Sequence, residues 1–158
     1  GSKVATTVPK RRSKVNPAQY KAKDGSMFHA IDVLGDRWNH LILGGALYGL
    51  KRYDDFQRGL GISTNILADR LKLLVNADLM IRVAYQNAPK RYQYDLTQKG
   101  KDYLPIALSL HNWSEKWLTK GQVSNVILSH TCSPDPVQLD FSCSHCGEVL
   151  APHDVAIV

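Results

Sequence analysis

The chain has 158 residues, 17.6 kDa and 44% hydrophobic residues, enough for one domain with appendages and short of two ordinary domains. No apolar run approaches the length that spans a bilayer, and the N-terminal stretch lacks the apolar segment of a secretory signal; both exclude a membrane-embedded reading and predict a cytoplasmic protein. The net charge of +6 is unevenly spread, since residues 1–24 hold seven basic side chains against one acidic, while after Lys120 there is no Lys or Arg and four acidic residues, Asp135, Asp140, Glu148 and Asp154.

This distribution predicts three segments: a basic arm over 1–24, a folded unit over 25–120, and a cysteine-bearing extension over 121–158. Residues 3–23 mix Lys, Arg, Pro, Ser and Thr without periodicity, a composition that cannot bury enough apolar surface to fold alone. Such a disordered arm suits phosphates, with salt-sensitive affinity, and equally suits a solubilising tail.

Ser26 to Leu34 reads as a short helix closed by Gly35. Residues 36–48, with Trp38, Leu41, Ile42 and Leu47, read as a buried helix capped by Asp36. Gly44 and Gly45 inside it lower helix propensity, which marks either close packing or a nearby ligand. Residues 50–53 form a link or a short strand.

Residues 54–60 carry Phe56 and Leu60 at helical spacing, and Gly61 follows where a sharp turn needs positive φ. Ser63 stands where its side-chain oxygen would cap the next helix, whose Leu67, Leu71 and Leu74 share one stripe. At about 100° per residue, Asn65, Asp69, Lys72 and Asn76 fall on the opposite side, a polar face suited to a major groove. Ser63, Thr64, Asn65, Asp69 and Lys72 are therefore candidate DNA contacts. Asn65 suits bidentate pairing with adenine; Lys72 suits a base or a phosphate; Asp69 suits a cytosine or the orienting of Lys72. Arg52 and Arg58 are candidates for the phosphate backbone, Arg52 being equally suited to an ion pair with Asp54 or Asp55. Arg70 lies nearer the leucine stripe and reads as structural.

Residues 81–86 and 91–96 alternate and are rich in β-branched and aromatic side chains, with 87–90 as the turn. The tip of this hairpin, Lys90 and Arg91, suits a phosphate or a narrow minor groove. Thr97 then caps a long helix with a stripe of Ile106, Leu110, Trp113 and Trp117, which Pro105 kinks or restarts. Two tryptophans on that stripe favour burial against a second subunit over packing on the Trp38 helix. His29, His40 and His111 have no mutual spacing that suggests ligation or catalysis.

All three cysteines lie in the extension. Cys143-Ser-His-Cys146 followed by Gly147 has the pattern of a zinc knuckle, with Cys132 a third ligand and His130 a fourth; His145 and His153 are rivals for that last place. An odd cysteine count makes a structural disulfide a poor reading. Unligated thiols, or a redox pair between Cys143 and Cys146, stay open as alternatives.

The runs Ala30-Ile-Asp-Val-Leu-Gly-Asp-Arg-Trp38, Leu41-Ile-Leu43, Arg52-Tyr-Asp-Asp-Phe-Gln57, Leu60-Gly-Ile-Ser63, Leu67-Ala-Asp-Arg-Leu71, Pro89-Lys-Arg-Tyr-Gln-Tyr94 and Leu96-Thr-Gln-Lys-Gly100 resemble the HxlR family of bacterial transcription regulators over about residues 26 to 118. The resemblance implies a mainly α fold with a small β-hairpin, a winged helix-turn-helix. It also implies a homodimer on double-stranded operator DNA, its outer helices forming the dimer contact. Members commonly carry an oxidant-sensing or aldehyde-sensing cysteine at the start of the first helix. Gly25-Ser26-Met27-Phe28 stand there in this chain, and a serine hydroxyl offers no comparable thiolate.

The leading expectation is thus a sequence-specific DNA-binding regulator responsive to a small-molecule effector, the ligand being flat or aromatic and seated between the Gly44-Gly45 helix and the tryptophan stripe. The rival is a zinc-containing protein-interaction module on an inert winged-helix scaffold. An enzyme is the weakest reading, because no acid–base residue pairs with the cysteines and no glycine loop cradles a phosphate.

Overall fold

The computed structural model describes residues 17, 18, 21, 23, 25–119 and 126–155. The expectation of a disordered arm over 1–24 falls almost wholly outside these. Among the described residues the order is α1 (Ser26–Leu34), α2 (Arg37–Leu47), α3 (Tyr53–Leu60), α4 (Thr64–Asn76), β1 (Met80–Asn87), β2 (Lys90–Leu96), α5 (Gln98–Lys101) and α6 (Leu104–Trp117), with a 3-10 turn at Pro152–Asp154.

The core forms where each amphipathic element turns its apolar stripe inward. Ile42 and Leu43 of α2, Phe56 of α3, Leu67, Leu71 and Leu74 of α4, and Met80 of β1 are all buried, joined by Tyr103 and Ala107 around the start of α6. Each large side chain so buried stabilises by about 1.5–3 kcal/mol before the cost of ordering it. α1 is different: it contributes no buried residue, and Met27 and Ile31 lie exposed on it.

Local chemistry sets the boundaries. Asp36 Oδ1 accepts from the Trp38 amide at 2.8 Å and starts α2. A Cβ on Gly45 would come within 2.7 Å of Leu50 Cδ1, so close packing accounts for that glycine. Gly61 ends α3 at φ 62°, the left-handed region that reverses the chain toward α4. Ser63 does occupy the N-cap of α4, but its hydroxyl makes no capping bond, contrary to expectation. The turn is fastened instead by Tyr53, whose hydroxyl donates to the Thr64 carbonyl at 2.6 Å.

β1 and β2 pair antiparallel from Met80↔Leu96 to Asn87↔Lys90, with an irregularity between Ala84 and Gln86 that leaves Tyr85 unpaired. The link before α3 adds a bridge, Arg52↔Gln93, and the Tyr94 amide donates to the Lys51 carbonyl at 2.8 Å. Thr97 accepts from the Gly100 amide at 3.1 Å and caps α5. That helix ends after one turn, and α6 restarts with Pro105 in its first turn, where a missing N–H costs nothing.

Candidate nucleic-acid interface

On α4, Asn65, Asp69, Lys72 and Asn76 are all exposed, as the helical spacing predicts from the burial of Leu67, Leu71 and Leu74. Lys72 and Asn76 border a groove of about 440 Å³ whose other side is Arg82 and Tyr94 of the hairpin, with Tyr53 at one end. The Lys72–Asn76 end of the polar helix face and the wing therefore line one concavity.

Asp69 is already engaged. The Arg70 guanidinium donates to Asp69 and, at 3.0 Å, to Asp36 Oδ2. Arg70 is thus structural, as its position implied, and Asp69 pairs with it, whereas the orienting of Lys72 is one of the two roles its spacing suggests. Hydrogen bonding from Arg70, then from the Trp38 amide, holds the Asp36 carboxyl below its usual range.

The remaining cations divide into stacked, ion-paired and exposed. Arg52 does not pair with a carboxylate through its guanidinium in the way weighed from sequence; it lies over the Tyr85 ring at 4.2 Å, while its backbone amide donates to Asp55. Arg58 reaches Asp55 at 3.6 Å, with its side chain 79% exposed. Lys90 and Arg91 are exposed at the start of β2, Lys90 Nζ lying 5.8 Å from the Tyr92 ring centre.

One cation escaped the sequence reading. Arg82 lies over the Tyr92 ring at 4.2 Å and points into the groove beside Lys72. Its signal was there: alternation along two paired strands puts Arg82 on the face shared by Tyr92 and Tyr94.

The stripe of α6 is left about half exposed, with Ile106, Leu110, Trp113 and Trp117 between 42% and 58% exposed. His111, Asn112, Glu115 and Lys116, on another side of α6, line a cleft of about 540 Å³ with tail residues such as Val126 and Val137. A second cavity, about 400 Å³, opens between α1 and the start of α6 and is lined by His29, Val33, Leu79, Lys99 and Tyr103; Gly44 and Gly45 take no part in it. Next to it, Tyr103 hydroxyl meets His40 Nδ1, and burial pushes the tyrosine up to about 12.

In the tail, Ser142 pairs with Val149 and Ser129 with Pro136, making two tight reversals. One holds Cys143 and Cys146, the other His130 and Cys132. The four are not gathered as the sequence pattern suggested: among the described residues no three such groups lie close enough to hold a metal ion. Backbone N–H groups of Cys146 and His145 point at the Cys143 sulfur and hold its thiol below the ordinary range.

A tight helical pair, a second helix with an outward polar face and a cationic hairpin beside it define a winged-helix transcription regulator. The HxlR-like helix-turn-helix family model matches residues 33–122, and the chain belongs to the HxlR family. It is 30% identical over 141 residues to an uncharacterized HTH-type transcriptional regulator of Mycobacterium tuberculosis, covering 89% of either chain. Among solved structures it resembles the proposed transcription factor PA1607, with TM-score 0.78 and 31% identity over 87% of this chain and 99% of that one. The reduced transcriptional regulator YodB of B. subtilis matches at TM-score 0.52 and 30% identity, over 61% of this chain and 95% of that one. The redox regulator HypR in its reduced form matches at TM-score 0.55 and 26% identity, over 61% and 95%. Among the described residues no helix is long and apolar enough to cross a membrane.

Proposed function

We propose that this regulator binds operator DNA as a homodimer, each protomer laying α4 in a major groove while its wing lies along the neighbouring backbone. The observation that carries the reading is the shared groove: Lys72 and Asn76 of α4 face Arg82 and Tyr94 of the wing across it. Asn65, on the same exposed helix face, reads a base; Ser63 and Thr64 sit at the helix start near the phosphates. Arg58, Arg82, Lys90 and Arg91 hold the backbone. Arg52 stiffens the wing through Tyr85 and lends it charge. The half-exposed stripe of α6 supports a second copy as its occupant, because a patch of that kind in water favours burial.

An effector response belongs to the same reading. The cavity between α1 and α6 is bordered by two helices that carry exposed apolar residues, so a small apolar molecule there would alter how two protomers meet.

Selection of bound sequences from random duplexes tests the assignment. Asn65→Ala is expected to relax preference at one position by about 1–3 kcal/mol, whereas Lys90→Ala weakens all duplexes alike and lowers the salt slope by about 1. Wild type and both variants binding with equal affinity and equal preference would overturn it.

A further inference from the structure

The segment over 126–155 holds defined turns and yet contains no buried residue. A unit shorter than about 40 residues rarely holds its shape without a disulfide, a metal or a partner. Its cysteines are free thiols. From residue 121 onward the chain has no Lys or Arg against four carboxylates, so the local field attracts a cation.

The turn over 143–148 has the geometry of a ligand-holding knuckle. The Cys143 amide donates to the Glu148 carbonyl and the Gly147 amide to the Cys143 carbonyl, both at 2.8 Å, with Gly147 at φ 76°. This closes the loop tightly around the Cys143–Cys146 pair and places both thiols on one short turn. Two sulfurs at this spacing form half of a tetrahedral zinc site.

We propose that the Cys143–Cys146 turn binds a thiophilic divalent ion, zinc being the expected one, and that Cys132 closes onto it as a third thiolate. The turn that carries Cys132 is closed by its own bonds, Ser133 amide to His130 carbonyl at 3.0 Å and Val137 amide to Leu128 carbonyl at 2.7 Å. His130 is the weakest of the four residues singled out by spacing. Its Nδ1 accepts from the Cys132 amide at 3.3 Å, which leaves the proton on the other ring nitrogen. Each coordinating thiol releases its proton to solvent, and the ion is the staple that the coreless segment otherwise lacks.

The test uses the full chain, reduced and kept anaerobic. Expected are one equivalent of zinc by mass spectrometry and, with Co²⁺ substituted, the visible bands of a tetrahedral site and a near-ultraviolet thiolate band. Cys143→Ser and Cys146→Ser should each weaken binding at least about tenfold, and Cys132→Ser should lower the thiolate band by roughly a third. Chelation should open 126–155 to protease while 25–119 resists, a readout that needs no variant. A reduced chain that takes up neither zinc nor Co²⁺ overturns the proposal. So does a Cys143–Cys146 disulfide that forms with no ion bound, or a Cys143→Ser variant that binds like wild type. An unchanged thiolate band in Cys132→Ser removes that residue from the site.

Discussion

Phe56 and Phe141 are the same side chain in opposite circumstances: the first is fully buried between α2 and α4, the second is 53% exposed on the tail. Around Phe56 the order of the chain follows from packing, since every helix there has a stripe to hide and a neighbour to hide it against. Around Phe141 nothing is hidden, and shape rests on backbone bonds across two reversals. The family model stops at residue 122, but the mycobacterial relative matches 141 residues and PA1607 matches 87% of the chain, so similarity reaches into the tail as well. The family model describes the DNA-reading region, while the shape of the tail has to be argued from its own turns and thiols.

The largest expected effect tests that contrast directly. Phe56→Ala should cost about 3–5 kcal/mol in denaturant unfolding followed by helical circular dichroism, through lost transfer energy and the cavity left behind. Phe141→Ala should stay within about 0.5 kcal/mol. A tail variant that destabilised the helices by several times this margin would mean the two regions fold as one, and the contrast would fail.

Next in size comes α6, which is apolar like the core and half exposed like the tail. Trp113→Ala should weaken self-association by at least about 2 kcal/mol, roughly 30-fold, in sedimentation velocity. If the stripe is a dimer contact it belongs with the packed region, its cover being a second protomer. Should wild type stay monomeric at tens of micromolar, or associate as strongly as the variant, the dimer reading fails.

The contrast also explains what could be read before any coordinates. The leucine stripe of α4, the Gly61 turn, the Asp36 cap and the two strands were legible because burial imposes a period on the sequence and turns demand particular residues. Arg52, Arg70 and Arg82 were harder. Each is long and flexible, and its partner is chosen in space: Tyr85, Asp36 and Tyr92 lie 33, 34 and 10 residues away in the chain. The Ser63 cap went wrong for a related reason, as a hydroxyl in a suitable position need not turn toward the amides it could satisfy. In the tail, spacing identified the thiols, but their distances depend on how two turns approach one another. With no core to fix that approach, composition carries no record of it.

The smallest expected effect concerns a place where the packed region relies on charge as the tail does. Asp36 stands at the α1–α2 junction and Arg70 on the reading helix, so their pair ties the uncovered helix to the candidate DNA contact Asp69. Asp36 has its carboxyl lowered first by the Arg70 hydrogen bond and then by the Trp38 amide. A folded-state value below the unfolded one gives stability that is present above the ordinary aspartate value of about 3.9 and is lost as pH falls through the folded one. Asp36→Asn keeps a capping oxygen for Trp38 but removes this titration. Melting temperatures of wild type and variant should differ near pH 7 and converge as pH falls below about 3.9. A gap that stays constant across that range would show that the pair adds nothing beyond the cap. In that case the coupling of α1 to Asp69 would have to run through the leucine stripe, by packing alone.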